Sequence, residues 1–168
     1  MKELLLQYAR YNVWANKRVI DVMLQLNTAD LDREIVSSFS SLKKTTIHIM
    51  GAESIWLQRL QLAAHPIWLP ESFKDIFSKA CILWQQASLD LEGFISSEKD
   101  DAALVQVCSF NDRKGTPLEH EVSHILLHVF NHSTYHRGQL ITMLRQIGMT
   151  EIPATDFIAF VRNITTTD

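Results

Sequence analysis

Five of the chain's seven histidines recur at a regular four-residue interval, His120, His124, His128, His132 and His136, in a stretch free of proline whose first glycine is Gly138. On a helix, four residues at about 100° each leave an offset of about 40° and a rise of about 6 Å, so successive members share a face. Two such imidazoles can converge on one ion at metal–nitrogen distances of about 2.0–2.1 Å. Three in succession cannot, because the first and third stand about 12 Å apart along the axis. At most one adjacent pair therefore serves a given ion, and at least one further ligand must come from another helix.

The rest of the chain can supply such helices. With 168 residues, 46% of them hydrophobic and 21% charged, it reads as one globular domain spanning 1–168 with enough apolar surface for a core. Glycine and proline number only 5 and 4, and they fall where helices should end. Leu5, Tyr8, Val13, Ile20 and Leu24 recur at helical spacing across 2–26, which Asn27 and Thr28 close. A second helix is expected over 41–63, ending before Pro66. A third is expected over 72–97, its apolar stripe formed by Phe73, Ile76, Phe77, Ala80, Leu83 and Trp84.

Residues 104–108 have strand-like composition and 111–115 that of a turn, which suggests a short hairpin. Thr116, Pro117 and Glu119 then read as a capping residue, a proline at the first helical position and a capping-box glutamate. They open a helix of about 30 residues that carries all five histidines to Gly148. A short helix is expected over 156–163. The expected fold is all-α, a four-helix bundle with a short β-hairpin before the last long helix.

Charge and cysteine usage narrow the partners. The net charge is −3, with no basic run beyond Lys43 and Lys44, so neither nucleic acid nor an anionic membrane is an expected partner. Leu4 to Leu6 are too few for the apolar core of a signal peptide. Cys81 and Cys108 form no CxxC pair, fit a reducing compartment and read as core filling. The cytoplasm is the expected location.

Spacing alone does not choose the ligating pair. His120-Glu121-Val122-Ser123-His124 spells HExxH, the helix motif of zinc proteases. The extended form with a further glycine and histidine is missing, and a protease is the weakest of the readings. Glu121 with His124 also matches half of a carboxylate di-iron site, but no second Glu-x-x-His exists. His65 precedes Pro66 and is expected at the surface. His48 sits mid-helix among Ile47, Ile49 and Met50, where an imidazole needs a partner. Three nitrogen ligands plus a free position would make an open, catalytic-type site.

Three segments resemble the DinB family, also called DinB/YfiT-like. They are Tyr11-Asn12-Val13-Trp14-Ala15-Asn16, then His48 with Glu53 and Trp56, and most specifically Asn131-His132-Ser133-Thr134-Tyr135-His136-Arg137-Gly138-Gln139. The last reproduces the NHxxxHRGQ pattern of the family's fourth helix, and the likeness spans nearly the whole chain. It implies a four-helix bundle whose metal triad, carried over by position, is His48, His132 and His136. It further implies a divalent ion, zinc or nickel by the preference of imidazole, and a homodimer. By the same likeness the expected activity is transfer of a low-molecular-weight thiol to an electrophile. A stress-associated metal- or ligand-binding protein without catalysis is the alternative. Within the motif, Arg137 is expected to pair with a carboxylate and Gly138 to admit a neighbouring helix, both as packing elements. Trp14 and Trp56 are expected in the core, with the wall of a pocket as the alternative.

Overall fold

Proline-free amphipathic stretches become four long helices in the computed structural model, which describes residues 1–74, 76–112 and 114–165. These are α1 (Lys2–Met23), α3 (Leu42–Leu60), α5 (Phe77–Ser97) and α7 (Val122–Gln146), joined by short α2 (Thr28–Asp32), α4 (Leu69–Ser72) and α6 (Asp101–Leu104). An antiparallel hairpin of β1 (Val107–Asn111) and β2 (Pro117–Glu121) precedes α7, and α8 (Phe157–Thr165) ends the described chain. The chain is therefore a four-helix bundle with a hairpin before its last long helix. Helices α1 and α3 each pack on both α5 and α7, which puts α1 diagonal to α3 and α5 diagonal to α7. Among the described residues, no helix is long and apolar enough to cross a membrane.

Two apolar clusters fill the bundle, and a third, of Tyr11, Ala15 and Phe160, lies under α8. Of the first two, one gathers Leu6, Leu57, Leu91 and Phe130, the other Val19, Met50, Trp84 and Leu140. Between them lies a polar layer whose centre is Glu53 of α3, fully buried. Its Oε1 accepts hydrogen bonds from Asn12 Nδ2 (3.0 Å), Asn16 Nδ2 (2.9 Å), Trp84 Nε1 (3.2 Å) and Ser133 Oγ (2.7 Å). Its Oε2 accepts from Ser88 Oγ at 2.6 Å. Arg137, 1% exposed, donates from Nη1 to Asn12 Oδ1 and Asn16 Oδ1 and from Nη2 to Thr134 Oγ1. All four long helices thus meet on one carboxylate, and two asparagines link it to one guanidinium. A polar layer satisfied in this way fixes the register of helices that apolar packing alone would let slide.

Several expected boundaries move. Residues 117–121 pair with β1, from Val107 opposite Glu121 to Asn111 opposite Pro117, so α7 starts at Val122 and Thr116 caps nothing. Glu119 bonds Ser109 Oγ across the ladder at 3.1 Å instead of closing a capping box. Backbone pairing wins because this stretch has no apolar face to bury: all but Glu121 of its residues are exposed. The strand expected at 104–108 begins later, because Asp100 caps α6 by accepting from the N–H groups of Ala102 and Ala103. The turn keeps its expected place: Asp112 Oδ1 accepts from the N–H groups of Lys114 and Thr116, and Gly115 takes φ +85°. The helix expected from 72 starts at Phe77, since the segment before it folds back onto α3. A Cβ on Gly51 would stand 2.2 Å from Pro70 Cγ, so only glycine admits this approach. Asn27 does not simply end α1. It caps α2 through its side chain, accepting from the Asp30 N–H.

Candidate metal centre

The polar layer aims the histidines. Ser133 and Arg137 are held toward the bundle centre, so His132 and His136, each one residue earlier on α7, turn about 100° away toward the groove with α3. The two helices run antiparallel there, since His48 meets His132 and His136 while Trp56, further along α3, meets His128. His48 Nε2 and His132 Nε2 face each other at 2.9 Å. One ring nitrogen from each of His48, His132 and His136 lies within 4.8 Å of the others. The structure therefore brings together the three histidines singled out from the sequence.

Burial sets their chemistry. Desolvation, reinforced by the charge of His136, pushes the His48 pKa down to about 4. Desolvation first, and then His136, His48 and His128, push that of His132 down to about 3. His136 is lowered by burial, and its hydrogen bond to Gln139 partly opposes this. All three rings are therefore neutral at pH 7, which is the form that ligates. Ligands at about 2.0–2.1 Å on a tetrahedral ion stand about 3.3 Å apart, so a slight parting of the facing nitrogens makes room for one. His136 Nδ1 lies 2.7 Å from Gln139 Oε1, and Gln139 Nε2 donates to Ser38 Oγ at 2.8 Å. With its Nδ1–H donated to Gln139, the ring presents Nε2 to an ion. The donor set fits a divalent metal.

The remaining histidines do not join the cluster. His120 lies on β2 opposite Cys108, not on α7, so the helix carries four of the series and the HExxH segment is split between strand and helix. His124 is exposed and sits 3.7 Å from Glu121 Oε2. His128 is exposed, its ring 6.0 Å from that of His132. His65 is exposed, as expected.

Beside the cluster opens a cavity of about 600 Å³, lined by His48 and His132, by the aromatic rings of Phe39, Trp56 and Trp68, and by Lys44, Arg59 and His128. Phe39 stacks on His48 with ring centroids 4.0 Å apart. Trp56 packs against the first apolar cluster and also walls the cavity, whereas Trp14 packs against Phe160 of α8. Gly138 also departs from expectation. A Cβ there would meet nothing within 4 Å, so no neighbouring helix explains it. Arg137 is a packing element, but its hydrogen-bond partners are Asn12, Asn16 and Thr134, and among the described residues it bonds no carboxylate directly.

Comparison with known proteins agrees with this architecture. The family model described as the DinB family matches residues 1–164. The chain belongs to the DinB family. A curated relative, Protein DinB of Bacillus subtilis (strain 168), is 27% identical over 162 residues, covering 94% of this chain and 93% of that protein. The crystal structure of a DinB-like protein from Bacillus cereus ATCC 10987 superposes with a TM-score of 0.70 at 24% identity, covering 90% of this chain and 95% of that one. YfiT from Bacillus subtilis superposes with a TM-score of 0.67 at 13% identity, over 89% and 91% of the two chains. That protein is described as a probable metal-dependent hydrolase with an unusual four-helix bundle topology. The diagonal placement of α1 and α3 gives the family fold here its concrete form.

Gln139, the hydrogen-bond partner of His136, is the residue beside the cluster that the sequence left without a role. Its signal was present, since three residues beyond His136 on a helix is within side-chain reach. Gln139→Ala is expected to weaken metal binding by roughly 10- to 100-fold without moving the unfolding transition of the metal-free protein. Competition with a chromogenic chelator measures the first and urea unfolding the second.

Proposed function

We propose that this protein holds one divalent ion, zinc or nickel, on His48, His132 and His136 and transfers a low-molecular-weight thiol to an electrophile. One observation carries the reading: three neutral imidazoles converge at the wall of an aromatic cavity that no carboxylate lines among its described residues. An ion held by three imidazoles would lower the pKa of a thiol at its free position, as it would that of a water, and the aromatic lining suits the softer, less hydrated sulfur. The family likeness favours the thiol. The sulfur–carbon bond then forms as the leaving group departs with its electron pair, and the thiol proton goes to solvent.

The chain's own residues do the rest. His48, His132 and His136 stay neutral through burial, Gln139 orients His136, and Phe39, Trp56 and Trp68 keep apolar surface around the reacting groups. The homodimer implied by the family likeness belongs to the same proposal, and light scattering on the purified protein tests it. Metal-loaded protein is expected to conjugate at least one of glutathione, bacillithiol or mycothiol to a panel of electrophiles, and His132→Ala is expected to lose that rate. Conjugation absent for every thiol, with metal bound and the free position occupied by a protein side chain, would favour the non-catalytic metal-binding reading. Metal-dependent ester or amide hydrolysis without thiol would favour the activity described for YfiT.

A further inference from the structure

The cavity holds a second feature that the three-histidine cluster does not use. Arg59 lines it eleven residues beyond His48 on the same helix, an axial separation of about 16 Å. Its guanidinium lies back over Trp56, 4.5 Å from that ring, and 4.8 Å from the ring of Phe110. The plane is thus held in place before any ligand arrives. Its Nε is buried without a hydrogen-bond partner, and its Nη2 reaches the Asn111 carbonyl at 3.4 Å. A buried guanidinium donor without an acceptor is costly unless something else supplies one.

Neighbouring groups do not fill that need. Asp112 acts on Arg59 through space, but its exposed carboxylate is engaged by the N–H groups of Lys114 and Thr116. His128, its ring 5.1 Å from Trp56, adds a further polar edge between Arg59 and His132. Lys44 lies beyond His48 at the opposite end and donates to Ser40 Oγ at 2.9 Å. Among the described residues, the lining offers cations and imidazoles but no acid.

We propose that Arg59, with the edge of His128, forms an oxyanion-recognition corner opposite the three-histidine cluster, so that the thiol this cavity takes also carries a carboxylate or phosphate. The inference rests on the thiol reading above and adds the charge class of the ligand. Arg59 is a specificity residue in this account, remote from the reacting atoms.

The test uses cobalt-loaded protein and three thiols of equal chain length, mercaptohexanoate, mercaptohexyl phosphate and mercaptohexanol, with affinity read from the cobalt–thiolate absorption. An acidic thiol is expected to bind roughly 10- to 100-fold tighter than the alcohol, the worth of a charge-assisted hydrogen bond. Arg59→Gln should erase that advantage and leave the affinity for mercaptohexanol unchanged. The rank of the two acids tells carboxylate from phosphate. Equal affinities for all three thiols, or an advantage that survives Arg59→Gln, would overturn the corner while leaving the thiol reading intact. If no thiol alters the cobalt spectrum, the thiol reading fails by itself. Hexanoate and hexanol titrated into metal-free protein then decide the corner: an Arg59 Nε–H resonance shifted by hexanoate alone supports it, and an unmoved one overturns it.

Discussion

Glu53→Ala is expected to destabilise the metal-free protein by about 3–5 kcal/mol, as losing one side of a buried charge network does. The change strips the acceptor from Asn12, Asn16, Trp84 and Ser133 at once, and each buried donor left unpaired is costly. It also leaves Arg137 without the carboxylate that balances it through Asn12 and Asn16. For a domain of this size the loss corresponds to a fall in Tm of roughly 6–20 °C. Glu53→Gln should cost at most half as much. Its carbonyl oxygen can keep the place of Oε1, and Ser88 Oγ can turn to accept from the new amide. Urea unfolding of both variants checks this, with equal slopes required for the comparison. An alanine variant within about 1 kcal/mol of the parent, the scale of an ordinary substitution, would show that the layer contributes little.

His132→Ala should abolish stoichiometric metal binding, with a loss beyond the roughly 10- to 100-fold caused by removing a ligand's hydrogen-bond partner. His132 is one corner of a compact triangle of rings, its centroid 4.9 Å from that of His48 and 4.4 Å from that of His136. Without it, only two imidazoles remain, His48 and His136, their ring centroids 4.7 Å apart, too few to hold an ion firmly. His124→Ala should keep its metal, because that ring is exposed beside Glu121. Elemental analysis of untagged protein measures both variants against the parent. Metal retained by His132→Ala and lost from His124→Ala would move the site to the start of α7.

The sequence displayed the long helices and the shared face of His132 and His136 because both are periodic. His132 and His136 share a face by spacing, but choosing them over the other adjacent pairs took the family motif. The start of α7 was misread because Thr116, Pro117 and Glu119 carry a local helix signal that hairpin pairing with β1 overrides. That pairing depends on a partner strand six residues upstream of Pro117, which no local pattern reports. The polar layer left faint traces in Asn12 and Asn16, four residues apart, and in Glu53 within an apolar run. What these residues do becomes visible only when four helices close around one carboxylate. Trp56 was readable as the wall of a pocket, but the shape of the cavity was not, since Gly51, Trp68 and Pro70 set it through a loop fold-back.

The central claim is that His48, His132 and His136 hold one ion with a free position toward the cavity. Anomalous diffraction at the metal edge, from crystals of untagged protein grown with zinc, tests it most directly. The account predicts one peak per chain at about 2.0–2.1 Å from a ring nitrogen of each histidine, with water or an added thiol as the remaining ligand. A peak between Glu121 and His124, or a fourth protein ligand closing the site, would contradict it.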